Sequence, residues 1–166
     1  MSKFEKVSFE QWKKDFGIEL PDSKLHEWYD EIKLPSQATK ASAGCDFCMP
    51  YNLNFEAGSK YRIATGIRWK TDENDLKRVL LVVPRSGLGF KYGIKLSNTI
   101  GVIDADYCNS DNEGHIIISL ENPSDKDVEL VQGKPFVQGI IVNYEIPEGA
   151  ESQDDRNGGF GSTDAK

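Results

Sequence analysis

The chain has 166 residues, 38% of them hydrophobic and 28% charged, and its 20 Lys and Arg against 27 Asp and Glu leave a net charge of −7. That length fits one domain of ordinary size, excludes two full domains, and buries enough apolar surface to need no disulfide or metal staple. The acidic balance excludes a broad grip on nucleic-acid backbone, which needs a basic face, but not a small anionic ligand met by local arginines or a metal.

No apolar run approaches the roughly 20 residues of a membrane span. The opening stretch lacks the apolar core and small-residue cleavage site of a signal peptide. The expectation is therefore a cytoplasmic protein with neither membrane nor nucleic acid as partner. Cys45, Cys48 and Cys108 are too few for a secreted disulfide framework. Cys45 and Cys48 have C-x-x-C spacing and could join Cys108 and His115 around zinc. A structural zinc site usually offers a second close pair, which is missing here. The plainer reading is two small half-buried side chains at a strand edge.

Residues 1–31 read as a helical extension. Ser8 and Gln11 form a capping box, Phe9, Trp12 and Phe16 follow at i, i+3, i+7, and Gly17 suits the C-cap. A second helix begins near Asp22 or Ser23 and carries Leu25, Trp28, Tyr29 and Ile32 as an apolar stripe. These stripes serve either a structural appendage on the main domain or a docking surface for another protein.

Residues 32–147 read as β structure. Runs at 60–67, 78–83, 98–103, 115–120 and 134–142 are separated by Gly, Pro and Asn turns. Many short strands without a βαβ rhythm point to a sandwich or barrel. No internal repeat is present. Residues 148–166 are rich in Gly, Ser, Asp and Glu, with Phe160 as the lone large apolar side chain, and read as a flexible arm.

Two segments carry chemistry. Pro84-Arg85-Ser86-Gly87-Leu88 ends an apolar strand with a charge, a hydroxyl and a glycine, the parts of a phosphate site and also of an ordinary turn. Gly101-Val102-Ile103-Asp104-Ala105-Asp106-Tyr107 holds two carboxylates at i and i+2, on one face of a strand. They suit a base acting on water, a metal site, or a solvated turn.

In order along the chain, five segments resemble the five motifs of the trimeric deoxyuridine triphosphatases (dUTPases). They are Ser42-Ala43-Gly44-Cys45-Asp46-Phe47, then Pro84 to Leu88, then Asn98 to Tyr107, then Gln132-Gly133-Lys134-Pro135-Phe136-Val137-Gln138, and finally Arg156-Asn157-Gly158-Gly159-Phe160-Gly161-Ser162-Thr163. The resemblance implies an all-β, jelly-roll-like barrel assembled as a homotrimer with active sites shared by three chains. It implies hydrolysis of dUTP to dUMP and pyrophosphate by water attack on the α-phosphorus, with Mg²⁺, keeping uracil out of DNA. By the same resemblance Asp104 activates the water, and Asn98 with the backbone around Gly101 reads uracil. Tyr107 lies under the deoxyribose, where a ribose 2′-hydroxyl would clash. Arg85, Ser86, Gly87 and Gln138 contact phosphates, and Asp46 reaches the metal through water. Arg156, Phe160, Gly161, Ser162 and Thr163 form a closing flap, Phe160 stacking on uracil.

Three departures from the family pattern stand out. Gly114 lies seven residues beyond Tyr107, so residues 108–113 hold an insertion of about five; Pro135 stands where a basic residue is common; and Arg156 is four residues before Phe160, a slightly shortened flap. Such irregularity resembles phage and prophage members. Two other readings accompany the enzyme: a dUTPase-like trimer acting as a regulator by binding a protein partner, through the helices or the insertion, and a dCTP deaminase of the same fold. The Gly-rich tail and Asp104 favour hydrolysis.

Overall fold

The computed structural model describes residues 1–72 and 76–152. Along the chain run β1 (Lys3–Lys6), α1 (Phe9–Phe16), α2 (Asp22–Asp30), β2 (Ser36–Gln37), β3 (Cys45–Cys48), β4 (Leu53–Phe55), β5 (Lys60–Ala64), β6 (Ile67–Lys70), β7 (Arg78–Pro84), α3 (Ser86–Tyr92), β8 (Lys95–Leu96), β9 (Gly101–Asp104), a 3₁₀ turn at Tyr107–Asn109, β10 (Ile117–Glu121), β11 (Val128–Leu130) and β12 (Pro135–Asn143). The largest sheet has five strands in the order β2-β3-β12-β7-β9; a second has three, β5-β10-β8; two pairs, β1-β6 and β4-β11, complete the fold. Pairing between these strands is antiparallel. The architecture is the expected all-β, jelly-roll-like one, although among the described residues the sheets do not close into one continuous barrel.

Alternation explains the core. In β7 Leu80 and Val82 are fully buried, and Phe47, Phe55, Ile63, Leu120 and Phe136 from other strands share the same core cluster. The run expected at 60–67 is two strands. Gly66 turns the chain at φ 75°, so β5 goes to β10 and β6 goes to β1. α3 has little local support in the sequence, because Gly87 and Gly89 lower helix propensity. Gly93 closes it in the left-handed conformation at φ 69°.

Both N-terminal helices form where the apolar spacing puts them, and a strand precedes them. β1 pairs with β6 from Lys3↔Lys70 to Lys6↔Ile67. The apolar stripes turn inward: Trp12 is 0% and Leu25 1% exposed, both within the main core. The indole of Trp12 donates to the Ala64 carbonyl at 2.9 Å. Phe16 and Trp28 meet Tyr51 with ring centroids 5.1 and 5.4 Å apart.

The insertion at 108–113 completes this unit. Ser8 Oγ accepts from Gln11 N–H at 3.2 Å, half of the capping box. The return bond comes from elsewhere: Glu113 Oε2 accepts from Ser8 N–H at 2.8 Å, and Ser8 Oγ donates to Glu113 Oε1 at 2.5 Å. Gln11 instead donates to Asp15 at 2.7 Å, and Asp15 meets His115 Nδ1 at 2.6 Å. His115 Nε2 faces the Gly66 N–H at 2.8 Å and can only accept, so Nδ1 carries the proton and donates to Asp15.

Burial pushes the His115 imidazole below the usual histidine range, against the opposing pull of Asp15 and Glu113. Its folded pKa is depressed, so the unfolded chain takes up the proton first. Stability is then fully present above roughly pH 6.5 and lost as pH falls below it. The Tm should be level from neutral pH to near that value and then drop. In His115→Gln the slope just below it should flatten, which scanning fluorimetry across pH would show; equal slopes would exclude His115 as the cause.

Candidate active site

β12 assembles one half of the site. Gln138 lies opposite Asp46 of β3 on one side and Val83 of β7 on the other, and Val137 lies opposite Pro84. Arg85 comes next in the chain, its N–H reaching the Phe136 carbonyl at 3.5 Å. Its Nε meets Asp46 Oδ1 at 3.2 Å, with the carboxylate side chain 14% and the guanidinium 38% exposed. A guanidinium has five donors, more than one carboxylate oxygen takes, so this pair orients Arg85 and leaves a fork suited to an anion. Ser86 and Gly87 open α3 beside it. A Cβ on Gly44 would stand 2.6 Å from Gln138 Oε1, so the lack of a side chain at Gly44 is what lets the amide lie over motif one.

The other half is a cleft. Among the described residues β9 pairs with β7 alone, and β10 with β5 and β8, so β9 and β10 part from each other. Between them is a cavity of about 420 Å³ bordered by Asn98, Gly101 to Ile103, Ile117 to Ser119, Lys60 and Arg62. Strand edges present N–H and C=O groups in a row, which suits a flat heterocycle with alternating donors and acceptors. One end is held by Ser97 N–H donating to the Ser119 carbonyl at 2.9 Å. Lys60, Arg62 and Ile117 to Ser119 belong to none of the five motifs. They come from β5 and β10, and only the long-range register Ser119↔Arg62 brings them here.

Asp104 ends β9 opposite Val79. Asp106 has left the strand and precedes the 3₁₀ turn at φ −86°, ψ −4°, so the shared-face expectation for the two aspartates does not hold beyond Asp104. Tyr107 is 6% exposed, a wall more than an open platform. Its hydroxyl donates to the His115 carbonyl at 3.2 Å and accepts from Asn112 at 3.0 Å.

The two halves are apart within one chain. Asp104 is five residues of β7 away from Pro84, about 16 Å along the strand at roughly 3.3 Å per residue. From Asp46 it is three strand spacings, about 14 Å, across the sheet as well. Arg156, Phe160, Gly161, Ser162 and Thr163 lie outside the described residues.

For a metal, the described residues offer no cluster of three His, Cys, Asp or Glu side chains. Cys45 and Cys48 are free half-buried thiols, as is Cys108, so the zinc arrangement is not formed. Strand alternation puts positions i and i+3 of β3 on opposite faces. Asp46, nearly buried against Arg85, suits contact with a hydrated ion through water rather than direct ligation. Pro135 stands at the first position of β12, where the missing N–H is tolerated, and Lys134 beside it is exposed.

An anion fork at a helix start and an edge-lined cleft are the equipment of a nucleotide-binding β protein. Comparison with known proteins identifies which. The dUTPase family model matches residues 30–164. Relatives named deoxyuridine 5′-triphosphate nucleotidohydrolase include one from Lactococcus lactis, 36% identical over 137 residues and spanning 81% of this chain and 89% of that protein. Another, from Methylococcus capsulatus, is 36% identical over 153 residues, spanning 88% and 95%. The crystal structure of dUTPase from Streptococcus mutans matches with a TM-score of 0.67 at 28% identity, over 89% of this chain and 99% of that one. The dUTPase of phage phi11 of S. aureus shares the fold at a TM-score of 0.63 and 17% identity, over 93% and 97%. The chain belongs to the dUTPase family.

Gly44→Ala should push Gln138 off motif one while leaving the backbone in place, since the atom it meets is the end of a side chain. Pyrophosphate binding measured by calorimetry should weaken several-fold, by the loss of about one hydrogen bond to a charged group, with Tm nearly unchanged. Equal affinity would exclude Gln138 as a phosphate contact.

Proposed function

We propose that the protein hydrolyses dUTP to dUMP and pyrophosphate at active sites shared between the chains of a homotrimer. One observation carries this reading beyond family membership: Asp104 and the Asp46, Arg85 and Gln138 cluster are present in one chain but face sites about 16 Å or more apart. A base must come within about 3 Å of the water it activates. Neighbouring chains bring Asp104 of one to the phosphate cluster of another without deforming the sheet.

In this arrangement the cleft between β9 and β10 takes uracil. Backbone groups read its edge, and cytosine would leave buried donors and acceptors mispaired. Tyr107 walls the deoxyribose. Arg85, Ser86, Gly87 and Gln138 hold the phosphates. Asp104 accepts the proton of a water placed in line with the α-phosphorus, and the barrier falls through positioning and charge neutralisation. Residues 153–166, with Arg156, Phe160, Gly161, Ser162 and Thr163, are assigned to closure over the ligand, which excludes water.

The donor set fits Mg²⁺ carried by the substrate. Mg²⁺ keeps several waters and binds mainly through substrate phosphates, and Asp46 would reach it through one of those waters. When bound, the ion neutralises charge on the phosphates. A structure of a point mutant of the phage phi11 dUTPase reveals the coordination of a structural Mg(II) ion in that enzyme. Three free thiols suit a reducing compartment, and we assign the protein to the cytoplasm. The apolar stripes of α1 and α2 are packed on the core, with Trp12, Leu25 and Ile32 buried and Phe9, Phe16, Trp28 and Tyr29 half-buried, and so give no support to a docking role for those helices.

Asp104→Asn should lower dUTP turnover by at least about a hundredfold, while a non-hydrolysable dUTP analogue binds within roughly tenfold of normal. Asp106→Asn should cost much less. Near-normal turnover in Asp104→Asn would move the base elsewhere. Sedimentation should give about three times 18.6 kDa. A monomer that hydrolyses dUTP would refute the shared site.

A further inference from the structure

The segment that lengthens motif three is tied at both ends. Within it, Asn112 donates to the Tyr107 hydroxyl at 3.0 Å and to the His115 carbonyl at 3.2 Å, and its own Oδ1 accepts from Gly114 N–H at 3.2 Å. Glu113 and Gly114 are both left-handed, at φ 59° and 72°. Gly114 has no alternative, because a Cβ there would stand 2.4 Å from Cys108 Cα. Glu113 is a residue that L-chirality steers away from this region.

Glu113 nonetheless holds that conformation while its carboxylate takes both polar groups of Ser8, at 2.8 and 2.5 Å. Two residues on, His115 is fixed by Asp15 and Gly66. Ser8, Gln11 and Asp15 form a polar stripe on α1 at i, i+3, i+7, displaced by one position from the apolar stripe of Phe9, Trp12 and Phe16. The apolar stripe seats the helix on the core, and the polar stripe meets the insertion.

We propose that Asn112, Glu113 and His115, braced by α1, are positioning residues for Tyr107 and thereby set the enzyme's discrimination between deoxyribose and ribose. The inference rests on the placement of Tyr107 beside the sugar. Rejecting a 2′-hydroxyl by steric clash demands a wall that does not yield, since a small displacement opens room for one oxygen atom. Tyr107 is the first residue of a short turn, and its hydroxyl bonds run to the insertion and to His115. Without the brace, the segment that holds the ring is a loop that includes an unfavourable backbone conformation at Glu113.

The test is the ratio of kcat/KM for dUTP to that for UTP, in the full-length enzyme. General destabilisation lowers both terms together; a displaced wall lowers the ratio. Glu113→Gly suits the left-handed backbone yet removes the clamp on Ser8. Asn112→Ala removes one side chain from a half-buried turn and is the variant least prone to unfold. Both should lower the ratio roughly tenfold, through a raised KM for dUTP and a gain on UTP. Asp15→Ala should do the same, and Asp15→Asn, which still accepts from His115 Nδ1–H, should restore most of the ratio. An unchanged ratio in Glu113→Gly and Asn112→Ala refutes the brace, provided Tyr107→Leu lowers it. An unchanged ratio in Tyr107→Leu as well refutes the placement of Tyr107 at the sugar, and the proposal with it.

Discussion

The double pairing of β12 is the constraint on which the cluster of Asp46, Arg85 and Gln138 depends. This strand runs for nine residues and hydrogen-bonds β3 on one side and β7 on the other. Gly139 shows how closely the layers approach: a Cβ there would stand 2.8 Å from Leu80 Cδ1 and 2.9 Å from Phe47 Cε2. Register decides which side chains reach the site. Phe136 and Val137 are buried and Gln138 is turned to the site. A slip of one residue would send Gln138 inward and expose Val137. The same register puts Asp46 and Arg85 within ion-pair distance, although 39 residues separate them (85 − 46).

The N-terminal unit shows a second kind of dependence. α1 is eight residues long, too short to be stable alone in water. Its stability comes from Trp12 in the core and from a cap completed by Glu113, more than a hundred residues away. Gly66 makes the close approach possible, since a Cβ there would meet Ile32 Cδ1 at 2.4 Å. The helix and the segment from the insertion to His115 therefore complete each other: one supplies the N-cap hydroxyl and the Asp15 acceptor, the other the Glu113 carboxylate and the His115 imidazole.

What was legible in the sequence had local causes. Ser8, the apolar spacing of α1 and Gly17 act within a few residues, and the helix stands where they put it. The β-rich runs and their turns gave the strand class because alternation is a local pattern. What was not legible required partners. The split of 60–67 depends on Gly66 turning left-handed so that two strands can join different sheets. β1 is four residues with no apolar alternation of note and is a strand because β6 pairs with it. Spacing alone assigns the return half of the capping box to Gln11, whereas Glu113 takes the Ser8 N–H and the Gln11 amide turns to Asp15. Asp46, Arg85 and Gln138 were placed by motif order, and the structure brings them together; the walls contributed by Lys60, Arg62 and Ser119 had no motif to mark them.

An acidic chain that binds a polyanion must concentrate its positive charge and keep its carboxylates occupied or distant. Both devices are visible. Asp46 stands opposite Gln138 but faces Arg85, which offsets its charge and fixes the guanidinium's orientation at once. Asp104 is kept about 16 Å along the sheet from that cluster in its own chain. In the proposed trimer a base at Asp104 would stand away from phosphates bound by its own chain and would act on those of a neighbour. In that reading assembly would supply the proximity that the reaction requires. The repulsion that remains would fall on the proposed shared site, where a divalent cation carried by the substrate and the Arg85 fork would offset it. A site divided between chains, as proposed, would in this sense be an electrostatic arrangement as much as a topological one.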